Sequence, residues 1–403
     1  MNHKFPFFIL LVTTITPLAF SEDTILESNL NTFSKSIEIE QLKNAKKVNQ
    51  SLFYPEINIV TGVGSEYSKG DDETEKGGIL YLDTKMNLYR GMEDYNSIEI
   101  NEMKIQKANL ERELELNKTK IEYFNLTSDN EVLTQDIKLI QNELENNKSQ
   151  ESMARKKVNA GLTTDAELLD FQIKQDNLLN EILANELKIK ENENAIKNIF
   201  GNKFSLEELK SKIPLNESTE LKKAQIPENL NLTQLSQDVS LSELEINKSK
   251  SSYLPKIDLE AKAGSITPQT KMFKDKTEHQ VALTLTIPLF SGYSSDAFSH
   301  QMILDKQLKE RIFKNYQVNL PSILENEEKR IELNRHLLAA NEKTLKKAEK
   351  FQEQTISEYK RGIKNSPDLI SASDRIFELK RKANELNNDI KKAIYSYNTN
   401  YSK

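Results

Sequence analysis

The residues from which chemistry could be built are few and poorly placed for it. The four histidines, His3, His279, His300 and His336, are scattered, with no pair at the spacing that brings two imidazoles onto one metal. There is no cysteine, which excludes thiol nucleophiles, thiolate metal sites, disulfides and N-terminal lipidation. Gly62-Val63-Gly64 falls inside a strand-like run rather than ahead of a helix, so it makes no phosphate loop. The 62 acidic residues are interspersed with 56 basic ones, the pattern of solvated helix faces; the net charge of −6 carries no basic stripe for nucleic acid. Neither an enzyme nor a cofactor site is expected. Asp368 stands apart, because Ser366-Pro367 ahead of it reads as an N-cap followed by Pro at the first helical position. There its charge favours the helix N-terminus by ~0.3–1 kcal/mol. Copies of it converging on an axis would instead attract cations and oppose anions.

The elements that carry these residues are mostly helices. Only 37% of residues are hydrophobic, 29% are charged, and Gly and Pro number 11 and 10, which suits long helices with narrow apolar seams. Residues 93–160 contain neither Pro nor Gly, so one helix there extends roughly 100 Å at 1.5 Å per residue. Residues 293–361 match it, although Pro321 should kink that helix or break it briefly. Return helices are expected over 165–200 and 367–399. In the last, Leu369, Ile376, Leu379, Ala383, Leu386, Ile390, Ala393 and Tyr397 follow a heptad pattern, and Leu133, Ile137, Ile140 and Leu144 repeat its step. Gly161 and Gly362 suit the left-handed position past a helix end, at the tips of the two helical hairpins, and Thr164 with Glu167 reads as a capping box.

The chain repeats itself. Tyr54-Pro55-Glu56-Ile57 recurs as Leu254-Pro255-Lys256-Ile257, 200 residues on. Met86 to Gly91 recurs as Ile287 to Gly292, and Ala160-Gly161-Leu162 as Arg361-Gly362-Ile363, both 201 residues on. Each half opens with a helix, over 33–52 and 229–252, ended by Pro55 or Pro255. Two alternating runs follow, closing at Gly91 and Gly292. In the second half Ile257, Leu259, Ala261 and Ala263, then Val281, Leu283, Leu285, Ile287 and Leu289, alternate with mostly polar residues; Ile57, Ile59 and Val63, then Leu80, Leu82, Met86 and Leu88, do so more weakly in the first. Each run is about ten residues, enough for a tilted strand to cross a bilayer. Tyr54, Tyr67, Tyr81, Tyr89, Tyr253, Phe290 and Tyr293 bracket the strands, as rings at a membrane boundary do. Two soluble hairpins with one buried face would show the same alternation.

The division expected is therefore a leader at 1–21, a first repeat at 22–200, a linker at 201–228 and a second repeat at 229–403. Lys4, the apolar run Phe5 to Leu18 and Ala19-Phe20-Ser21 read as a cleavable secretory signal peptide. No other stretch has the apolar length of a membrane helix, so any crossing must use strands. Four strands cannot close a barrel; in lipid, several copies must pool theirs around a wet lumen.

On the duplication, Tyr253-Leu254-Pro255-Lys256-Ile257, Ile287-Pro288-Leu289-Phe290-Ser291-Gly292, and Tyr359, Gly362 and Asp368-Leu369 at the second tip, the chain resembles the TolC-type outer-membrane efflux proteins (outer membrane factors) over nearly its whole mature length. The resemblance implies a mainly α fold with membrane β: a homotrimer whose protomers each give four strands to a twelve-stranded barrel, continued by a long α-helical barrel through the periplasm. The segment 201–228, with Pro214 and Pro227, would form an equatorial belt. Implied partners are outer-membrane lipid, a periplasmic adaptor (membrane fusion) protein and an inner-membrane ABC, RND or MFS transporter, in efflux or type I secretion. The resemblance also assigns roles. Asp368 matches the first carboxylate of the entrance constriction, and Ser371 stands where the second would be. Tyr359 and Lys364 match the Tyr and basic positions of an entrance latch and Glu167 its acidic partner; Lys for Arg and Glu for Asp remove the two-pronged geometry. A periplasmic adaptor would carry one helical hairpin rather than two, and a coiled-coil scaffold of the envelope would not need four strands bracketed by aromatics.

Overall fold

The computed structural model describes residues 25–68, 73–201, 204–213, 220–269 and 277–402. The leader expected at 1–21 lies outside them, as does Pro214 of the linker. Element order is α1 (Leu30–Ser51), β1 (Glu56–Ser68), β2 (Glu73–Arg90), α2 (Glu93–Asn159), α3 (Ala166–Phe200), α4 (Leu206–Lys212), α5 (Leu230–Lys250), β3 (Lys256–Gln269), β4 (Glu278–Thr286), α6 (Ser294–Lys360) and α7 (Ser366–Tyr401). Helix, hairpin, long helix and return helix thus run twice, and α2 and α6 are both 67 residues long. No described helix is long and apolar enough to cross a membrane.

The four strands form one antiparallel sheet in the order β1-β2-β3-β4. Cross-strand register sorts the side chains by face. Ile59, Leu82 and Ala263 align on one side, as do Met86, Leu259 and Leu283. The opposite side aligns Asp83 with Lys262 and Lys85 with Glu260. Lys85 lies 3.2 Å from Asp83 and 3.6 Å from Glu260, and Lys262 3.1 Å from Glu260. The apolar face has no cover among the described residues: Val63 is 90% exposed and Val281 74%. Strand β4 ends at Thr286, short of the alternation read through Leu289, because Pro288 has no N–H to pair.

Both strand pairs leave the sheet through the same turn. Gly91 and Met92 have φ of 63° and 65°, Gly292 and Tyr293 63° and 64°. Two consecutive left-handed residues thus launch α2 and α6, and the second of each pair is not glycine.

The helices pack through short clusters strung along their length. Tyr123, Ile196, Phe200 and Leu209 pack with Ile25 and Ile213, joining α4 to α2 and α3. Ile140, Leu178 and Phe377 join α2, α3 and α7. Of the heptad residues expected in α7, Leu369, Ile376, Leu386, Ala393 and Tyr397 are buried. On α2 the buried series Asp136, Ile140, Glu143, Asn147, Gln150 and Ala154 has heptad spacing, yet is largely polar. Asn384 donates to Asp136 at 3.2 Å, Gln175 to Asn147 at 3.1 Å and Gln150 to Ser373 at 3.1 Å, so the seam is held by side-chain hydrogen bonds.

Helix α6 runs unbroken through Pro321, contrary to a break. Leu320 and Leu324, on either side of it, are buried against Tyr397. That packing holds the helix together where a prolyl ring costs about 3 kcal/mol. Between the halves, the Gln225 amide donates to the Tyr401 carbonyl at 2.9 Å and the Lys222 amide to Asn398 at 2.9 Å, tying the linker to the end of α7.

Candidate functional site

The two helical hairpins end side by side, and each tip is built in the same way. After α2, the Leu162 amide donates to the Lys157 carbonyl and the Gly161 amide to that of Val158, both at 2.9 Å. After α6, Ile363 donates to Glu358 at 3.0 Å and Gly362 to Tyr359 at 3.1 Å. Gly161 and Gly362 hold φ of 71° and 78°, so both are the left-handed residue that lets a helix end satisfy its last carbonyls. Leu162 and Ile363, next in the chain, are exposed.

Tyr359 is fully buried between the hairpins, packed with Ala154, Phe171 and Leu369. Its hydroxyl donates to Glu167 Oε2 at 3.0 Å. Burial first, and then this carboxylate, push the phenol well above its ordinary pKa, so the O–H remains a donor. The Lys157 ammonium lies 3.6 Å from the Tyr359 ring centroid and also donates to the Tyr359 carbonyl. One step away, the Ser366 hydroxyl donates to Asp170 at 2.9 Å.

The capping box expected from Thr164 and Glu167 is absent. Asp165 occupies the N-cap of α3 without a side-chain bond, and the Glu167 carboxylate, which the box would turn back toward the Thr164 amide, serves Tyr359 instead. At α7 the cap is Asn365, not Ser366. Asn365 Oδ1 accepts from the Asp368 amide at 3.2 Å, and Asp368 Oδ2 from the Asn365 amide at 3.3 Å. Lys364 pairs with Asp368 at 3.6 Å, and no ion pair joins it to Glu167 among the described residues. Tyr359 and Glu167 are therefore brought together within one chain, and Lys364 is not added to them.

Ser371 is exposed and lines an open cleft of about 600 Å³ between α3 and α7, with Asp170, Ile173, Asp374, Arg375 and Glu378. Asp368 sits just outside it with a half-exposed side chain. Lys157, Asp170, Lys174 and Asp374 were not singled out by the sequence; their partners lie some 200 residues away, and only the repeat offset could have suggested the pairing of Lys174 with Asp374. Among the described residues no group of three or more His, Asp or Glu is placed to hold a metal ion.

No protein-family model and no curated protein sequence matches the chain. Solved structures do. The outer membrane protein VceC from Vibrio cholerae superposes with a TM-score of 0.79 at 11% identity, over 94% of this chain and 96% of that one. CusC, described in terms of folding and transmembrane channel formation, gives 0.79 at 12%, over 93% and 90%. The CmeC outer membrane channel of Campylobacter jejuni gives 0.76 at 12%, over 94% and 84%. At such low identity the likeness is one of architecture, and it extends over nearly the whole chain: this protein has the fold of the TolC-type outer membrane channels.

Proposed function

We propose that the protein is a passive, non-enzymatic channel of the outer membrane, the exit duct of a tripartite efflux or type I secretion system, assembled from three copies. The observation that carries this is the sheet. Among the described residues one face is apolar and uncovered, the other charged, and β1 and β4 each present an edge that no strand fills. Unpaired edges cost several kcal/mol per group in lipid, so the sheet is complete there only when copies close it. Three copies give twelve strands, with the Asp83, Lys85, Glu260 and Lys262 face lining a wet lumen. Helices of roughly 100 Å far exceed a bilayer of ~40–45 Å and extend into the periplasm, where the tips meet an adaptor and, through it, an inner-membrane ABC, RND or MFS transporter. Residues 22–200 and 229–403 are the two copies of the repeat, and 201–228 the belt between them. An adaptor with one helical hairpin does not account for the second.

In this reading Pro55, Pro255, Gly91 and Gly292 mark where the chain enters and leaves the barrel. Asp368 and Ser371 frame the constriction, and Tyr359 with Glu167 latches the hairpins, while Lys364 pairs with Asp368 at the same tip. Fractionation of the expressed protein tests the whole: heat-modifiable trimers in the outer-membrane fraction are expected, and monomers in the periplasmic extract reject it. At the constriction, Asp368→Asn retains an acceptor for the Asn365 amide but removes the charge. Block by a multivalent cation in planar bilayers should then need roughly tenfold more cation. Unchanged block removes Asp368 from the constriction.

A further inference from the structure

Lys174 of α3 is a cation placed where three helices meet. Its ammonium pairs with Asp374 of α7, its side chain is 15% exposed, and the Phe377 ring centroid lies 5.8 Å away. The carboxylates of Glu143 on α2, Glu181 on α3 and Glu378 on α7 also act on it. Glu143 is 8% exposed and has Lys174 as the leading charge that favours its ionised form, with Lys380 second. Two turns further along, the signs reverse: Arg381 of α7 bonds Glu181 of α3 at 3.1 Å and lies 3.7 Å from Asp136 of α2. Positive-to-negative at one rung and negative-to-positive at the next fixes register. Sliding α7 by a heptad would set Lys174 against Arg381, or Glu181 against Asp374.

We propose that Lys174 is a second lock on the entrance, holding the start of α7 to the first helical hairpin by charge, two turns inward from the Tyr359–Glu167 bond. The lock rests on the channel reading for its purpose, but its geometry lies within one chain. Burial draws the Lys174 ammonium below its ordinary pKa against the pull of Glu143, Glu181 and Glu378, and burial raises Glu143. Without the cation, the carboxylates of Glu143, Asp374 and Glu378 lose their shared counter-charge, with Arg375 in the same cleft, Lys380 beside Glu143 and Arg381 on Glu181 as the cations that remain. Repulsion then separates α7 from α2 and α3. Because a carboxyl raised in the folded state favours the protonated form, that repulsion grows as pH rises and fades as pH falls through the raised value.

The test is amide exchange along Ser366–Arg381 in the full-length chain, for Lys174→Met and Lys174→Arg. Lys174→Met should exchange roughly tenfold faster than wild type at about pH 8, with the excess shrinking toward about pH 5, and Lys174→Arg should match wild type. Wild-type exchange in Lys174→Met overturns the lock. So does an excess of the same size at both pH values, which would mean lost packing rather than lost charge. Conductance is read separately: a wild-type protein that never conducts defeats the channel reading, while the exchange result still judges the lock.

Discussion

Tyr359→Phe is expected to raise the open fraction of the assembled channel in planar bilayers by roughly ten- to a hundredfold. A hydrogen bond to an ionised acceptor contributes about 1.5–3 kcal/mol, and each 1.4 kcal/mol is a factor of ten in an equilibrium. Here the donor is fully buried and the acceptor, Glu167, stands on the other hairpin. Phenylalanine keeps the ring that packs on Ala154, Phe171 and Leu369 and that underlies the Lys157 ammonium, so only the bond is lost. Glu167→Gln retains a neutral acceptor and should fall between wild type and Tyr359→Phe. Cells carrying the variants should also become more sensitive to bulky antibiotics applied from outside. A Tyr359→Phe channel as quiet as wild type would remove this pair from the latch.

The second large effect separates two glycines that the repeat makes equivalent. A Cβ on Gly91 would lie 2.7 Å from Leu254 Cβ and 2.8 Å from the Ser251 carbonyl oxygen, with φ at +63°. The neighbours are backbone and the base of a side chain, which cannot swing aside. A Cβ on Gly292, at the same φ, meets nothing of its own chain within 4 Å. Gly292→Ala should therefore carry only the left-handed penalty of about 1–2 kcal/mol. Gly91→Ala adds a clash that pushes the end of β2 off the start of β3. In denaturant unfolding of the unassembled chain, Gly91→Ala should cost about 1–3 kcal/mol more than Gly292→Ala, the usual size of overpacking. Equal losses at the two sites would show that the crowding around Leu254 is not what makes Gly91 necessary.

Much of the architecture was legible because the signals were local. The absence of Pro and Gly over 93–160 declared α2, and alternation declared the strands, since both report a backbone period that neighbours do not change. What escaped was long-range competition for polar groups. Thr164-x-x-Glu167 is a proper capping signature, but a buried tyrosine 192 residues away outbids the cap for the carboxylate. Asn365 displaces Ser366 as cap because the Asp368 side chain reaches back to its amide. The polar seam of Asp136, Glu143, Asn147 and Gln150 was invisible to a search for apolar heptads, as were the ammonium of Lys174 and the positive φ of Met92 and Tyr293. Asp368 and Tyr359 were found by likeness to a family; composition and spacing alone left Asp368 between a cap and a constriction.

The unfilled strand edges carry a cost that precedes any transport. A lone copy presents β1 and β4 as templates, flanked by Val63, Val281 and Leu283 facing outward, and any passing extended chain can dock on them. In the proposed assembly, closure needs further copies of this chain, whereas adhesion accepts almost any β-prone segment. Assembly is thus expected to compete with adhesion, and overproduction without a holding chaperone should leave more of the chain in insoluble deposits.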